Sequence, residues 1–330
     1  MNRSTQVSLE EYCRPFIRAG SKWPDLPLPS QPSHIWWQQW LQETPVESHF
    51  QSLRIFLPQL FIQPHTGASK SEAYKHLVLR GETDIELNDD EILQLNDLQA
   101  FSIRLADHIC GPVPVIEIGD QNDFLNVVRC LAYCCEPKQI QPSVHAQAVA
   151  GLIHWGLIRT INQHERAQLI ILHSSPYSSL PAKAIPGKPT TSQWLEISQH
   201  WRLEHELTHL TTQRLVGEMR LNLFDELIAD SLGMLKALHL FSADLFRQGL
   251  GLNLDATTTK NGRVHTYLGG LDHKNSQIVC KYVLQRAIEL EKLLSVRLIP
   301  YERIPLLRYL TQQTLDQPFL VPNHLANYWS

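Results

Sequence analysis

Apolar residues recur at helical spacing in several parts of the chain. The clearest cases are "SEAYKHLVLRG" (71–81), "DDEILQLNDLQAFSIRLADHICG" (89–111) and "SQIVCKYVLQRAIELEKLL" (276–294). A repeat of apolar side chains every three to four residues is typical of a helix with one buried face. The spacing therefore predicts a helix in each of these stretches.

Two apolar runs predict strands instead. "GPVPVIEIGD" (111–120) is rich in β-branched residues, and its last residue, Asp120, is placed to cap a following helix. "AQLIILH" (167–173) repeats the scheme. An exposed edge of this second strand would pair with an extended peptide, and a core strand with no role in binding is an equally good interpretation.

Residues 1–65 follow neither period. Prolines at 24, 27, 29 and 32 lie in a stretch rich in tryptophan and glutamine. Because proline breaks helices and lacks a backbone donor, the sequence predicts an irregular segment here.

A long helix is predicted to begin at Thr190. Thr190 and Gln193 match a capping box, and Gly217 is a typical helix end. Asn222 is placed to cap a second helix, "LFDELIADSLGMLKALHL". The short link between the two helices favours antiparallel packing.

Composition indicates a folded chain with a sizeable core. Hydrophobic residues make up 43% of 330 residues and charged residues 19%, and the net charge of −4 is not gathered into blocks. Nothing in this pattern indicates a nucleic-acid or membrane partner, and no apolar run approaches the roughly 20 residues of a membrane helix. We expect an α+β fold with a mixed α/β region at 1–165, a helix-rich zinc core at 166–255 and a helical region at 256–330.

The six cysteines do not form the pattern of a disulfide framework. Cys134 and Cys135 are adjacent, and a chain of this size needs no covalent bridges to fold. The sequence therefore predicts reduced thiols and a cytoplasmic location.

The stretch "HELTH" (205–209) carries the candidate chemistry. On a helix His205 and His209 lie one turn apart on one face, where two imidazoles can bind one zinc ion. Glu206 points to the side of this face and is placed to take a proton from a zinc-bound water, whose pKa zinc lowers to roughly 7. On the next helix Glu226 is the candidate third ligand, and Asp230, one turn later, is placed to hold the far nitrogen of a ligating histidine.

"HELTH" followed by "DELIAD" resembles the gluzincin zinc peptidases, to which thermolysin belongs. The resemblance implies zinc ligands at His205, His209 and Glu226, with Glu206 as general base and Asp230 behind a ligand. The wider stretch from "ILHSSPYSSLP" to "DELIADSLGM", with the later "GGLDH", also resembles a narrower group of bacterial proteins with no assigned reaction. The gluzincin resemblance departs at Arg202 and Glu204, which make the approach to the motif more charged than in typical peptidases.

No tyrosine or histidine matches the groups that stabilise the tetrahedral intermediate in thermolysin. Candidates for such transition-state or substrate contacts are His265, Tyr267 and Tyr177, although an ordinary surface or core role is the simpler interpretation of each. Arg220 is a candidate for binding a substrate carboxylate, or for pairing with Glu218 or Asp225.

The sequence therefore predicts a zinc hydrolase, most simply a metallopeptidase acting on a peptide or a small amide. One alternative is a non-peptidase zinc enzyme that acts on a small or modified amide in a biosynthetic pathway. A second alternative is a protein without catalytic activity, in which zinc only locks two helices together.

Overall fold

The structure is a computed structural model that describes residues 7–17, 23–26, 28, 31–109, 111–142, 144–161, 167–297, 299 and 302–320. Its helices and strands divide between two compact units. The first, which we call the sheet unit, spans 26–174, and the second, the helical unit, combines described residues of 1–25 and 175–330. The predicted α+β class is confirmed, and the predicted three-region division stays a prediction.

Strands occur only in the sheet unit among the described residues, whereas helices occur in both units. The strands are β1 (Phe101–Ala106), β2 (Val113–Ile118), β3 (Ala146–Leu152) and β4 (Ala167–His173). The α-helices are α1 (Leu9–Cys13), α2 (Pro32–Glu43), α3 (His49–Phe56), α4 (Gln121–Ala132), α5 (Trp155–Ile161), α6 (Thr191–Val216), α7 (Leu223–Leu238), α8 (Ala243–Leu250), α9 (Val264–Tyr267), α10 (His273–Ser295) and α11 (Arg303–Thr311). None of these described helices has both the length and the apolar character needed to cross a membrane.

The sheet unit is built on a four-stranded mixed sheet in the order β1-β2-β4-β3. β2 and β4 are parallel, whereas β1 and β3 run antiparallel to their neighbours. Helix α4 packs on this sheet, and its first turn is capped by Asp120, which accepts from the amides of Asn122 and Asp123. The predictions of β2, β4 and the Asp120 cap are therefore confirmed.

The position of β4 in the sheet contradicts one expectation. β4 has a hydrogen-bonded neighbour on each side, β2 and β3. Because its backbone groups are already paired, β4 has no free edge for an extended peptide. The interpretation as a core strand is the one that the structure supports.

The helix predicted over 89–111 is wrong. Residues 101–106 form β1, and only short 3-10 turns precede it. The amides of Asn96 and Asp97 donate to the Asp123 carboxylate, and Asp97 caps the turn at Ala100. The local bond of Asp97 competes with a helix for the same backbone groups, and the two bonds to Asp123 use amides that a helix would also need.

The irregular segment predicted for residues 1–65 is also wrong in part. Pro32 is the first residue of α2, where its missing amide costs nothing and its fixed φ favours the helix. Proline therefore starts a helix here instead of breaking one. Pro27 and Pro29 lie outside the described residues.

The helical unit is organised around α7. Every residue from Leu223 to Leu235 is buried, and α6, α10 and α11 all pack against this helix. The predicted caps at Thr190, Gly217 and Asn222 are all confirmed. Contacts between α6 and α7 run in opposite directions along the two sequences, as expected for antiparallel helices.

Gly233 allows α6 and α7 to approach closely. A β-carbon at this position would lie 2.5 Å from Cδ1 of Trp201 and 2.9 Å from the Trp201 carbonyl oxygen. The second of these atoms belongs to the backbone of α6 and cannot move aside without moving the helix. The absence of a side chain at 233 therefore fixes the separation of the two helices.

We predict that Gly233→Ala destabilises the protein by about 1–3 kcal/mol, the usual effect of overpacking a core. Gly249→Ala is the matched control, since its β-carbon would meet no atom closer than 3.5 Å within helix α8. Alanine is about 0.5–1 kcal/mol better than glycine inside a helix, so the control is expected to be slightly stabilising. Thermal and urea unfolding of both variants measure the difference, and equal stability of the two would contradict the role of Gly233 in the helix contact.

Candidate metal centre

Three buried side chains from α6 and α7 meet at one point. His205 and His209 lie one turn apart on α6, and Glu226 projects from the first turns of α7. The Nε2 atoms of the two imidazoles are 3.0 Å apart. Glu226 Oε1 lies 3.3 Å from His209 Nε2, and Glu226 Oε2 lies 3.6 Å from His205 Nε2. The structure thus brings together the three predicted ligands as a set with potential ligand atoms within 4.8 Å of one another.

A carboxylate lies behind each imidazole, on the side away from this point. His205 Nδ1 is 2.9 Å from Asp230 Oδ1, as predicted. His209 Nδ1 is 3.2 Å from Asp225 Oδ2. From the sequence, Asp225 was considered only as a possible partner of Arg220, and this contact was not predicted. An ionised carboxylate only accepts hydrogen bonds, so each of these carboxylates favours a proton on the Nδ1 that faces it. A neutral imidazole with that tautomer would present an Nε2 lone pair toward Glu226.

Asp230 is saturated by donors. Its Oδ1 receives the Tyr177 hydroxyl and Trp201 Nε1 at 3.0 Å, besides His205. Its Oδ2 receives Nη2 of Arg263. Burial alone would raise the pKa of this carboxyl, but the charges of Arg263 and His205 and the hydrogen bonds hold the pKa well below its usual range. Asp230 is therefore ionised and fixed in orientation.

Arg263 is a site residue that sequence reasoning missed. It precedes α9, and its guanidinium joins Asp230 to Glu226, whose Oε2 lies 3.4 Å from Nη1. Arg263 lies in "GRVHTYLGG", the same short stretch as Tyr267. From the sequence, Tyr267 was named as a candidate but Arg263 was not. Only the fold shows that this arginine bridges the two carboxylates of α7.

The charges at this point do not balance among the protein's own groups. Asp225, Glu226 and Asp230 are three buried carboxylates, and Arg263 supplies one positive charge, which leaves two negative charges. Burial would lower the pKa of His209, yet Asp225 and Glu226 raise it well above its ordinary value. Two protonated imidazoles would restore neutrality, but the 3.0 Å gap between their Nε2 atoms has room for only one proton. A divalent cation at this point would supply the missing charge and would leave both imidazoles neutral.

The distances also fit a small tetrahedral ion. Zinc binds imidazole nitrogen and carboxylate oxygen at about 2.0–2.2 Å, so two ligand atoms of a tetrahedron lie roughly 3.3–3.5 Å apart. The observed separations of 3.0, 3.3 and 3.6 Å bracket this value. Two nitrogens and one carboxylate, with orienting partners behind the nitrogens, are also a common donor set of zinc sites.

Glu206 and Arg202 lie beside the ligands on α6. Glu206 is half-buried, unlike its two histidine neighbours in the motif. Arg202 is buried, and its Nη2 donates to the Ser175 carbonyl at 2.8 Å. Burial lowers the pKa of Arg202 to about 10 in spite of the opposing charge of Glu206, so this arginine remains a cation at neutral pH. Arg202, one of the two charged residues that precede the motif in the sequence, is thus buried.

The two candidate tyrosines occupy different sides of the centre. Tyr177 is buried, and its hydroxyl donates to Asp230 and lies 3.0 Å from His205 Nδ1. It therefore lies behind the His205 imidazole, on the Asp230 side. Tyr267 is half-buried, and burial together with the negative charge of Glu226 raises the pKa of its phenol well above the ordinary value. Of the two, Tyr267 lies on the side of the ligand carboxylate.

The other two candidates have structural partners. His265 is exposed, and its Nε2 lies 2.9 Å from the Thr259 carbonyl oxygen, so the structure does not bring it to the centre. Arg220 pairs with Glu218, which was the alternative interpretation. Its guanidinium also donates to the carbonyls of Arg14 and Pro15. These bonds occupy the guanidinium that would otherwise bind a substrate carboxylate.

Comparison with known proteins gives a family without an assigned activity. The family DUF7005, a family of unknown function, matches the chain over residues 3–168 and 161–317. The chain belongs to DUF7005. No curated protein and no solved structure matches it significantly. The metal centre of this DUF7005 member is therefore interpreted from its own residues.

We predict that Asp225→Asn weakens divalent-metal binding about as much as Asp230→Asn does. Each carboxylate faces the Nδ1 of one imidazole, and loss of such a partner usually costs roughly 10–100-fold in metal affinity. Asp244→Asn, which changes an exposed carboxylate paired with Arg247, is the control and is expected to bind normally. Competition with a fluorescent chelator measures the affinities. Normal binding by Asp225→Asn would mean that His209 is not a ligand held by this contact.

Proposed function

We propose that this protein is a zinc-dependent hydrolase, most simply a metallopeptidase of gluzincin type. The observation that carries the proposal is the buried set of His205, His209 and Glu226, with Asp230 and Asp225 behind the two imidazoles. A buried excess of negative charge is costly unless a cation compensates it. A carboxylate next to the first histidine is the further group that hydrolysis requires.

Each ligand is held by a partner of its own. Asp230 orients His205, Asp225 lies against His209, and Arg263 contacts Glu226. When bound at these three side chains, zinc lowers the pKa of a water to about 7 and polarises a carbonyl group. The rigid surroundings keep the three donor atoms directed at one point, which favours a small ion with a fixed geometry.

Glu206 is the general base in this proposal. It follows His205 directly on α6 and is half-buried, so it reaches the solvent side of a centre whose ligands are buried. Its carboxylate takes a proton from the attacking water and later delivers that proton to the leaving amine.

Tyr267 is the candidate group for the developing negative charge on the substrate oxygen. Its phenol is close enough to Glu226 for the charge of that carboxylate to raise its pKa. The raised pKa keeps the phenol protonated and able to donate. Tyr177, whose hydroxyl is committed to Asp230, has no such role in this proposal.

A small or modified amide is the second candidate substrate. The observation in its favour is that β4 is paired on both sides and has no free edge to bind an extended peptide.

The five cysteines that the structure describes are free thiols, which agrees with the proposed cytoplasmic location. Cys110 lies outside the described residues.

We predict that the purified protein binds about one zinc ion per chain, as the three-ligand set implies. His205→Ala and Glu226→Ala each remove one donor from the ion and are expected to lose most of the metal. His200→Ala, an exposed position on the same helix, is the control. Copper binds such nitrogen donors more tightly than zinc, so elemental analysis identifies the metal. Full zinc content in both ligand variants would rule out this assignment.

We further predict that Glu206→Gln keeps its zinc and its melting temperature but loses nearly all turnover. Glutamine preserves the size of the side chain and the three ligands but cannot accept the proton. Glu196→Gln, at an exposed site on α6, is the control and is expected to retain activity. The substrate is first sought with the wild type in peptide libraries and cell-extract metabolites. Undiminished turnover by Glu206→Gln would contradict the mechanism, even with zinc bound.

A further inference from the structure

Tyr12 connects two parts of the metal centre from a distant part of the sequence. It lies in α1, is buried, and belongs to the helical unit. Its hydroxyl accepts the amide of Leu223 at 2.8 Å and donates to the Tyr267 carbonyl at 2.8 Å. One oxygen atom therefore contacts both α7 and α9.

The first of these contacts completes the cap of α7. The first amides of a helix have no partner within the helix. Here Asn222 Oδ1 accepts from Phe224 and Asp225, and the Tyr12 hydroxyl accepts from Leu223. Asn222 also donates its side-chain amide to the Tyr12 carbonyl at 3.3 Å. The cap is thus shared between Asn222 and α1.

This capped turn is the one that carries site residues. Asp225, which lies against His209, and Glu226, the proposed ligand, are within the first four residues of α7. A shift of the turn moves both carboxylates relative to the imidazoles of α6. The position of Leu223 therefore bears directly on the geometry of the proposed ligand set.

The second contact fixes the other partner of Glu226. The Tyr12 hydroxyl holds the backbone of Tyr267, whose phenol is close enough to Glu226 to feel the charge of its carboxylate. Arg263, four residues earlier, contacts Glu226 and Asp230. The two segments that meet at Glu226 are thus joined through a single side chain that lies outside the ligand set.

We infer that Tyr12 is a positioning residue of the metal centre, which sets the first turn of α7 and the segment 263–267 around Glu226. This inference rests on the metal site proposed above. It assigns to α1 a role in metal affinity, in addition to the burial of apolar surface.

Tyr12→Phe tests the inference because it removes only the shared hydroxyl. We expect its dissociation constant for Zn²⁺ to rise about 10-fold, at the lower end of the effects of partners behind a ligand. The visible spectrum of the Co²⁺-substituted protein is expected to change, because that spectrum reports ligand geometry. Tyr309→Phe is the matched control, since Tyr309 is also buried and its hydroxyl also donates to a carbonyl, that of Leu320, at 2.8 Å.

Melting temperatures of the metal-free proteins separate positioning from general stability. If the role of Tyr12 is purely structural, Tyr12→Phe will lower the metal-free melting temperature but leave the Zn²⁺ dissociation constant and the Co²⁺ spectrum as in Tyr309→Phe. This result would overturn the inference.

Asn222→Ser gives a second test that does not depend on how Tyr12→Phe folds. Serine still caps the helix but lacks the side-chain amide that donates to the Tyr12 carbonyl, so Zn²⁺ affinity is again expected to fall. Unchanged affinity in this variant also counts against the inference. Absence of Zn²⁺ binding by the wild type would instead refute the proposed metal centre itself.

Discussion

Three carboxylates lie on one buried helix of the helical unit. The side chains packed against them supply positive charge and hydrogen-bond donors. An uncompensated charge in a protein interior costs several kcal/mol, so Asp225, Glu226 and Asp230 would unfold this helix if they stood alone. Arg263 and two imidazoles lie in contact with these carboxylates. Tyr177 and Trp201 donate further hydrogen bonds to Asp230. The polar residues inside this part of the core thus form one connected network of ion pairs and hydrogen bonds.

The close contact of α6 with α7 gives this network its precision. Trp201 packs over Gly233 and donates to Asp230, so the same side chain sets the helix separation and orients a carboxylate. One turn further along α6 His205 meets Asp230, and the next turn brings His209 to Asp225. Helix packing and metal-site geometry are therefore two aspects of one arrangement.

The parts of this site that sequence reasoning found are those with local spacing. His205, His209 and Glu206 share one helix, and Glu226 and Asp230 share the next, so helical period and a short link suffice to bring them together. Arg263 and Tyr12 were missed because their contacts depend on tertiary folding across many residues. The wrong prediction of a helix over 89–111 has the same cause. The apolar spacing there is typical of a helix, but residues just before β1 form hydrogen bonds to Asp123, which lies on a later helix.

The discontinuous make-up of the helical unit has a consequence for the order in which the chain is completed on the ribosome. The partners of the Tyr12 hydroxyl lie 211 and 255 residues further along the chain. At about 5–20 residues per second, roughly 10–50 s pass between the synthesis of Tyr12 and that of its last partner. The sheet unit, which is continuous in sequence, can close within this interval. The segment around α1, although translated early, is therefore among the last to dock, and its buried side chains such as Phe16 must stay out of other contacts until then.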